Sequence, residues 1–567
     1  MNKHCSRREF LALSALIAGG LSLSACAGIP LSKGVERYQR SAPSNGDASV
    51  SRAVGPQADA KPADIIEGFI RAGADPIGNF EIAREFLTAE CAARWRPEEI
   101  TRLYDKTASV VGQENSDIYR MSVIQNATLD ARGIIQSVPS PVPEHYEMTL
   151  VQVEGQWRIS ACPNGLWVDA QEFNALVSPY RLYFYDPAYK AVVPDIRWFV
   201  RREDVPSIVQ TLFTTLCAGP AKYLQGAVIN TAQAEMNLSS IDYNPENSAE
   251  ITLWIQGTEL NTLTQARLRQ QVQFVMRNFS HLRDVQVRYN ERSVQVPGEF
   301  VPAQMNLTAN NRVIALNDGM LVLRDSPEDE SSEYDIKARV SGALMPAFSK
   351  DDAPVLTVAT LAQQRTQLYT IVDDRPQLVR EGQNLAAPCV DSYGWVWSAA
   401  GTDALRAYKP SSNNEEERTK GVEIAISWRR SLSFSSISVA CDSARIAMVG
   451  ARDGVQAALI SGIVRDAAGK PLRLTDSVRV SSSITPSTVH WAGEQTLVVS
   501  NAESGEIVVT TLSGDETKLD RLPQVVHCSA ADEQRIYAQT SDGTSYRLTE
   551  RSWEQLDATL RYISYAS

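Results

Sequence analysis

From about Asn310 onward one unit keeps returning, and it narrows the possible folds more than any other feature. The unit is a short strand, a polar turn, an apolar strand, a Gly- or Asp-bearing turn and another strand. Val390-Asp391-Ser392-Tyr393-Gly394-Trp395-Val396-Trp397 leads to the turn Gly401-Thr402-Asp403. Val439 to Val449 leads to Arg452-Asp453-Gly454, Val489 to Val499 to Glu503-Ser504-Gly505, and Val526 to Ala538 to Ser541-Asp542-Gly543. Val313 to Leu323, around Asn317-Asp318-Gly319, is a further candidate. The last three turns fall 51 and then 38 residues apart. Several strands per repeat, at a spacing of roughly 40–50 residues, predict the blades of a β-propeller, here five or six. The alternative is a β-sandwich, of which fixed-period self-similarity is not expected.

The N-terminus constrains where such a domain works. Ser6-Arg7-Arg8-Glu9-Phe10-Leu11 opens an apolar run to Leu23, followed by Leu23-Ser24-Ala25-Cys26. A basic head, a hydrophobic core and small residues before a cleavage point are the parts of an export signal. The run falls short of the about 20 residues that span a bilayer core of about 30 Å. Arg7 and Arg8 followed by Phe-Leu resemble the twin-arginine export motif, although twin arginines also occur in general secretory signals. Leu-Ser-Ala-Cys resembles the bacterial lipobox, which makes Cys26 the residue that receives lipid; an uncleaved anchor and a signal cleaved without lipid are the alternatives.

Removing residues 1–25 leaves 542 and moves the formal charge from −12 to −14. Nucleic acid is excluded as a partner, because its phosphates demand clustered Lys and Arg. No later run is long and apolar enough to span a membrane, so membrane attachment falls to lipid on Cys26. Beyond it lie Cys91, Cys162, Cys217, Cys389, Cys441 and Cys528, which export would place where pairing is permitted. Spacing alone does not assign a pairing. Cys91 and Cys162 share one predicted domain and are candidates for a disulfide, whereas Cys217 reads as a small buried residue in an apolar helix.

The predicted order of parts is a signal peptide over 1–25, a flexible tether over 26–62, an α+β domain over 63–175, a second α+β domain over 176–300 and a propeller-like domain over 301–567. The tether is rich in Ser, Ala, Gly, Pro and Asp and too poor in large apolar residues to fold; as a coil it would reach about 30 Å. In the first domain Ile65, Ile66, Phe69 and Ile70 predict one helix. Phe80, Ala83, Phe86 and Leu87 predict a second, ending at Trp95 and Pro97. Met148, Leu150, Val151 and Val153 then lead through the turn Glu154-Gly155 into Gln156-Trp157-Arg158-Ile159, a hairpin. Helices before a meandering sheet give the element order of an NTF2-like cone. In the second domain a strand at Leu182–Tyr185 precedes a helix over 205–218, stopped by Gly219-Pro220. Strands follow within 234–255, then a helix over 260–279 and a strand at Val285–Tyr289.

The strand Leu182–Tyr185, the helix end Leu216-Cys217-Ala218-Gly219-Pro220, a strand start at Ala227-Val228 and the Gln270–Phe279 helix resemble the GerMN module of spore-germination and envelope proteins. Cys217-Ala218 stands where that module has a second leucine. Lipobox, α+β domain, GerMN unit and β-rich C-terminal region together resemble the actinobacterial LpqB lipoprotein family. That resemblance implies an extracytoplasmic, lipid-anchored, non-catalytic protein. It also implies a partner, the extracytoplasmic region of the Mtr two-component sensor histidine kinase, and a role in tuning cell-wall and division physiology.

The residues offer little chemistry against this. There is no Gly-x-Ser-x-Gly elbow, no His-Glu-x-x-His and no Ser-x-x-Lys. The mature chain holds only His145, His281, His490 and His527, at no usual zinc spacing, so no metal and no cofactor is expected. Adjacent His527 and Cys528 would face opposite sides of a strand. Trp395 and Trp397, two apart on a strand, share a face and are the candidate ligand-contact aromatics; packing between blades is the plainer reading. The competing function is binding or hydrolysis of wall polysaccharide at the propeller mouth. Carboxylates and an exposed tryptophan converging there would favour it.

Overall fold

A computed structural model describes residues 53–567, apart from 113–116, 139–142, 202–203, 310, 327–333, 350–355, 361–365, 429–431, 453–454, 557–558 and 567. Arg7, Arg8, Cys26 and all but the last ten residues of the tether lie outside these, as do Asp453 and Gly454 of the predicted turn.

The first body is α+β. α1 (Pro62–Ala72) starts on a proline, whose missing N–H costs nothing in the first turn, and buries Ile65, Ile66, Phe69 and Ile70. The single second helix expected from Phe80 to Trp95 is two, α2 (Ile77–Glu85) and α3 (Ala89–Arg94). The break has a cause: Leu87 pairs in parallel with Ile159, and Thr88 accepts a hydrogen bond from the Cys91 N–H, capping α3. The strands are β1 (Ile100–Gly112), β2 (Ile118–Asp130), β3 (Ile135–Ser137), β4 (Pro143–Val153), β5 (Gln156–Ala161) and β6 (Leu166–Asp169), in the order β5-β4-β2-β1-β6 with β3 on β2. Glu154 and Gly155 both take positive φ, 53° and 79°, in the hairpin between β4 and β5. Trp95, Trp167, Met121, Met148 and Leu150 lie in the shared core. α4 (Ala170–Leu176) leads out of this body.

The second body begins with the ribbon β7 (Val177–Tyr185) and β8 (Val192–Val200), nine paired positions long. α5 (Val205–Cys217) and α6 (Thr262–Met276) share a core with the sheet of β9 (Asn237–Tyr243), β10 (Glu250–Gln256), β11 (Asp284–Tyr289) and β12 (Arg292–Ser293), ordered β12-β11-β10-β9. Ile251, Leu253 and Ile255 of β10 are buried in that core, while the residues between them remain partly open, as period-two alternation requires. Ala227-Val228 does not start a strand; only Ile229 pairs, with Tyr185. Cys217 is buried, as expected of it.

The third body is all-β: six sheets of four antiparallel strands among the described residues. Five are continuous in sequence, over 343–381, 389–423, 433–479, 488–518 and 525–555. The first is composite. Val313–Asn317, Met320–Arg324 and Tyr334–Asp335 supply three strands, and Leu560–Tyr565, from the far end of the domain, supplies the innermost. Each innermost strand lies against the next, so the six close a ring. This is a six-bladed propeller with a closure made by the two ends of the domain. The second blade showed no recognisable unit in sequence: its inner strand contains Pro346, a register shift after Leu344 and a positive φ of 48° at Met345.

Closure makes a single residue testable. Ile563 in the closing strand is 2 % exposed. Ile563→Asp would bury an unpaired carboxylate, at a cost of several kcal/mol. Calorimetry is expected to show the propeller transition lowered or lost while the α+β transition persists.

Candidate functional site

The ends of the six inner strands enclose a small axial cavity of about 50 Å³. Ala347, Cys389, Ser438, His490, Ser529 and Ser564 give one lining residue from each blade, and no carboxylate is among the lining residues. Acid pairs for glycoside hydrolysis are therefore not assembled here. The serines have another task. Ser438 Oγ accepts from the Trp491 N–H at 3.2 Å, and Ser529 Oγ from the Tyr565 N–H at 2.9 Å, each joining one inner strand to the next.

The ring brings together what spacing kept apart. His490 and His527, 37 residues apart, lie with ring centroids 6.1 Å from each other. His527 Nε2 lies 3.0 Å from Ser564 Oγ. Burial lowers His490 to about 3 and His527 to about 4, so both are neutral at pH 7. Sequence reasoning missed this pair; only the blade repeat, which puts both on equivalent strands, could have signalled it.

Trp395 and Trp397 are 1 % and 0 % exposed. This corrects the candidate ligand-contact role: neither ring has a face to offer. Trp397 Nε1 donates to Asp391 Oδ2 at 2.9 Å, while the N–H groups of Tyr393 and Trp395 donate to Oδ1. Thus fixed, Asp391 Oδ2 accepts from Arg465 Nη2, from the next blade, at 2.6 Å, and both side chains are wholly buried. Arg465 also donates to the carbonyls of Ser443 and Gly469 and stacks over Tyr393 at 4.5 Å. Desolvating such a pair is costly, and the surrounding hydrogen bonds and rings offset that cost.

The second body docks on one face of the propeller. In an antiparallel blade the hairpins joining strands one and two, and three and four, share a face. Asn306 N–H donates to Glu494 Oε2 at 2.6 Å, and Arg181 Nε to Gln495 Oε1 at 3.0 Å, both on the first hairpin of the fifth blade. Thr475 Oγ1 donates to the Tyr223 carbonyl, and a Cβ on Gly462 would stand 2.6 Å from that of Ala227. The first body joins the same block. Arg132 Nη2 donates to the carbonyls of Ala218, Gly219 and Pro220 at 2.9–3.2 Å, satisfying the end of α5. Arg197, paired with Asp195 at 2.7 Å, donates to the Arg132 carbonyl. Gly133, at φ 77°, would set a Cβ 2.9 Å from the backbone of Trp198. The Gly-Pro helix end is thus a joint between bodies. The recurrent turns, Asn317–Gly319, Gly401–Asp403, Asn501–Gly505 and Ser541–Gly543, all join strands two and three and so ring the opposite face.

The sulfurs of Cys91 and Cys162 stand 3.9 Å apart. Among the described residues no group of three or more His, Cys, Asp or Glu could hold a metal, and no helix is long and apolar enough to cross a membrane.

Two family models match the chain: Lipoprotein LpqB, N-terminal domain, over residues 55–174, and Lipoprotein LpqB beta-propeller domain, over residues 336–561. Among curated relatives, Lipoprotein LpqB of Mycolicibacterium smegmatis is 32% identical over 234 residues, 40% of this chain and 38% of the relative. That of Nocardia farcinica is 30% identical over 232 residues, 40% and 37%. The matched part therefore spans under two fifths of these relatives' length. Similar solved structures include TolB from Acinetobacter baumannii, with TM-score 0.33 and 11% identity over 45% of this chain and 66% of that one. A virginiamycin B lyase from Staphylococcus aureus has TM-score 0.28 and 12% identity over 46% and 88%.

Asp391→Ala should cost about 3–5 kcal/mol, since it leaves Arg465 buried without its counter-charge. Trp397→Phe, which removes one N–H donor, should cost much less, and denaturant melts of the two variants will rank them. The histidine pair sets a pH dependence. Its folded-state values lie below the ordinary 6.5, so unfolding takes up protons and stability falls as pH drops from about 6.5 toward 4. Each histidine should contribute up to about 2 kcal/mol of that loss by pH 5. The double variant His490→Gln/His527→Gln should flatten the profile of midpoint against pH.

Proposed function

The chain belongs to the LpqB lipoprotein family, and on that premise we propose that it is a lipid-anchored, non-enzymatic accessory of the cell envelope. In this reading Arg7 and Arg8 direct export, Cys26 carries the lipid, and the 26–62 tether holds the folded block off the extracytoplasmic face of the cell membrane. The block binds and modulates the extracytoplasmic region of a sensor histidine kinase of the Mtr type, and through it cell-wall and division physiology.

The observation that carries the reading is that both ends of the folded part match one lipoprotein family. A second observation supports recognition by surface contact. One propeller face is taken up by the second body, and the other presents the recurrent turns, with Asp318, Asp403, Glu503 and Asp542 among their residues. These carboxylates, with Arg561 beside the Ser541–Gly543 turn, favour a partner surface of complementary charge and a salt-sensitive association. Hydrolysis of wall polysaccharide at the propeller mouth is the weaker reading, because the axial lining has no carboxylate.

Photo-crosslinkers placed at Ser504 and Asp542 in intact cells should capture the kinase; crosslinkers at Gln286 on β11 should not. Capture from neither position, with purified ectodomains that also fail to associate at low salt, would reject the partnership. For the anchor, Cys26→Ala should release protein to the medium; continued membrane retention of an unprocessed form without lipid would reject the lipobox reading.

A further inference from the structure

Nothing in the family reading uses Cys91 and Cys162. They are 71 positions apart in sequence, yet their sulfurs touch at 3.9 Å. Cys91 is buried on α3, and Cys162 is partly open, one residue beyond β5. A strap brings them together. Thr88 N–H donates to the Ile159 carbonyl and Ile159 N–H to the Phe86 carbonyl, both at 2.9 Å, so residues 86–88 run alongside β5. β5 is the edge of its sheet, and the strap covers backbone groups that would otherwise stand open. Two such bonds and a six-residue helix are a slight hold for that task. A disulfide needs sulfurs about 2.05 Å apart, so the two must approach by roughly 1.9 Å for the bond to form.

We propose that Cys91 and Cys162 are joined by a disulfide that clamps the strap and α3 over the edge of the first sheet. The oxidant is an extracytoplasmic thiol oxidase carrying a reactive disulfide. The Cys162 sulfur, on the open side, displaces one sulfur of that disulfide and forms a mixed disulfide. The Cys91 sulfur then attacks Cys162 and expels the oxidant's second thiolate. The pair loses two electrons and two protons, and the oxidant leaves as a dithiol. Formation of the bond in cells rests on the export reading; the capacity of the two residues to pair does not.

The test separates the two. The purified full chain is equilibrated with oxidised glutathione, alkylated and mapped by peptide mass spectrometry. A linked Cys91–Cys162 peptide is expected, and two alkylated cysteines or glutathione adducts alone would overturn the pairing. Chain taken from the membranes of the native cell should carry the same link. Closure in vitro with free thiols in the cell would uphold the clamp and count against export. Reduction of the wild type, Cys91→Ser and Cys162→Ser should each speed amide exchange over 86–94 and 156–161 about ten-fold or more, with exchange in the propeller unchanged. Equal exchange in oxidised and reduced wild type would show that the bond clamps nothing.

Discussion

The pairing of Val313–Asn317 with Leu560–Tyr565 is the interaction on which the rest depends. Six sheets packed face to face are stable only if the last finds the first, since an open ring would expose the apolar flanks of two blades. Closure stitches one blade from both ends of the domain. Within the ring, short polar links set each blade against the next: serine hydroxyls on the inner strands, and the buried Asp391–Arg465 pair between the third and fourth blades. Hydrophobic burial supplies the bulk of the stability there. The polar links fix the angular register that burial alone leaves loose.

A second constraint follows from where glycine is required. Gly462 and Gly133 lie at contacts too close for a Cβ, one between the second body and the fourth blade, the other between the first body and β8. Arg132 and Arg197 finish the end of α5 with donors from outside the helix. The two α+β bodies and the propeller therefore meet through backbone groups and buried charge, set beside small apolar clusters such as Val193, Leu224 and Ala444. Such joints hold orientation: their hydrogen bonds are lost by small displacements. For a protein that acts by contact, fixed orientation of the free propeller face is what makes the rim recognisable.

Much of this was legible in the residues because period and punctuation are local. Ile65 to Ile70, Glu154-Gly155 and Gly219-Pro220 declared a helix face, a hairpin and a helix stop, and the structure has each of them. The Gly- and Asp-bearing turns declared blades, though not the second one, where Pro346 and a bulge interrupt the pattern. What was not legible depends on separation. The break at Phe86–Thr88 is imposed by Ile159, more than seventy residues away. Trp395 and Trp397 looked available because two tryptophans on one strand face are rich in binding surface; only the adjacent blade shows that face to be filled. His490 and His527 meet for the same reason, across a ring that no spacing rule describes.

The composite blade also dictates the order in which the domain can be made. Asn317 must wait for Leu560, about 240 residues later in synthesis, before its strand has a neighbour on the inner side. Until then the nascent chain carries an unpaired template that invites mispairing. A chaperone that shields that edge, or a protease that patrols for it, would discriminate finished molecules from interrupted ones by a single strand.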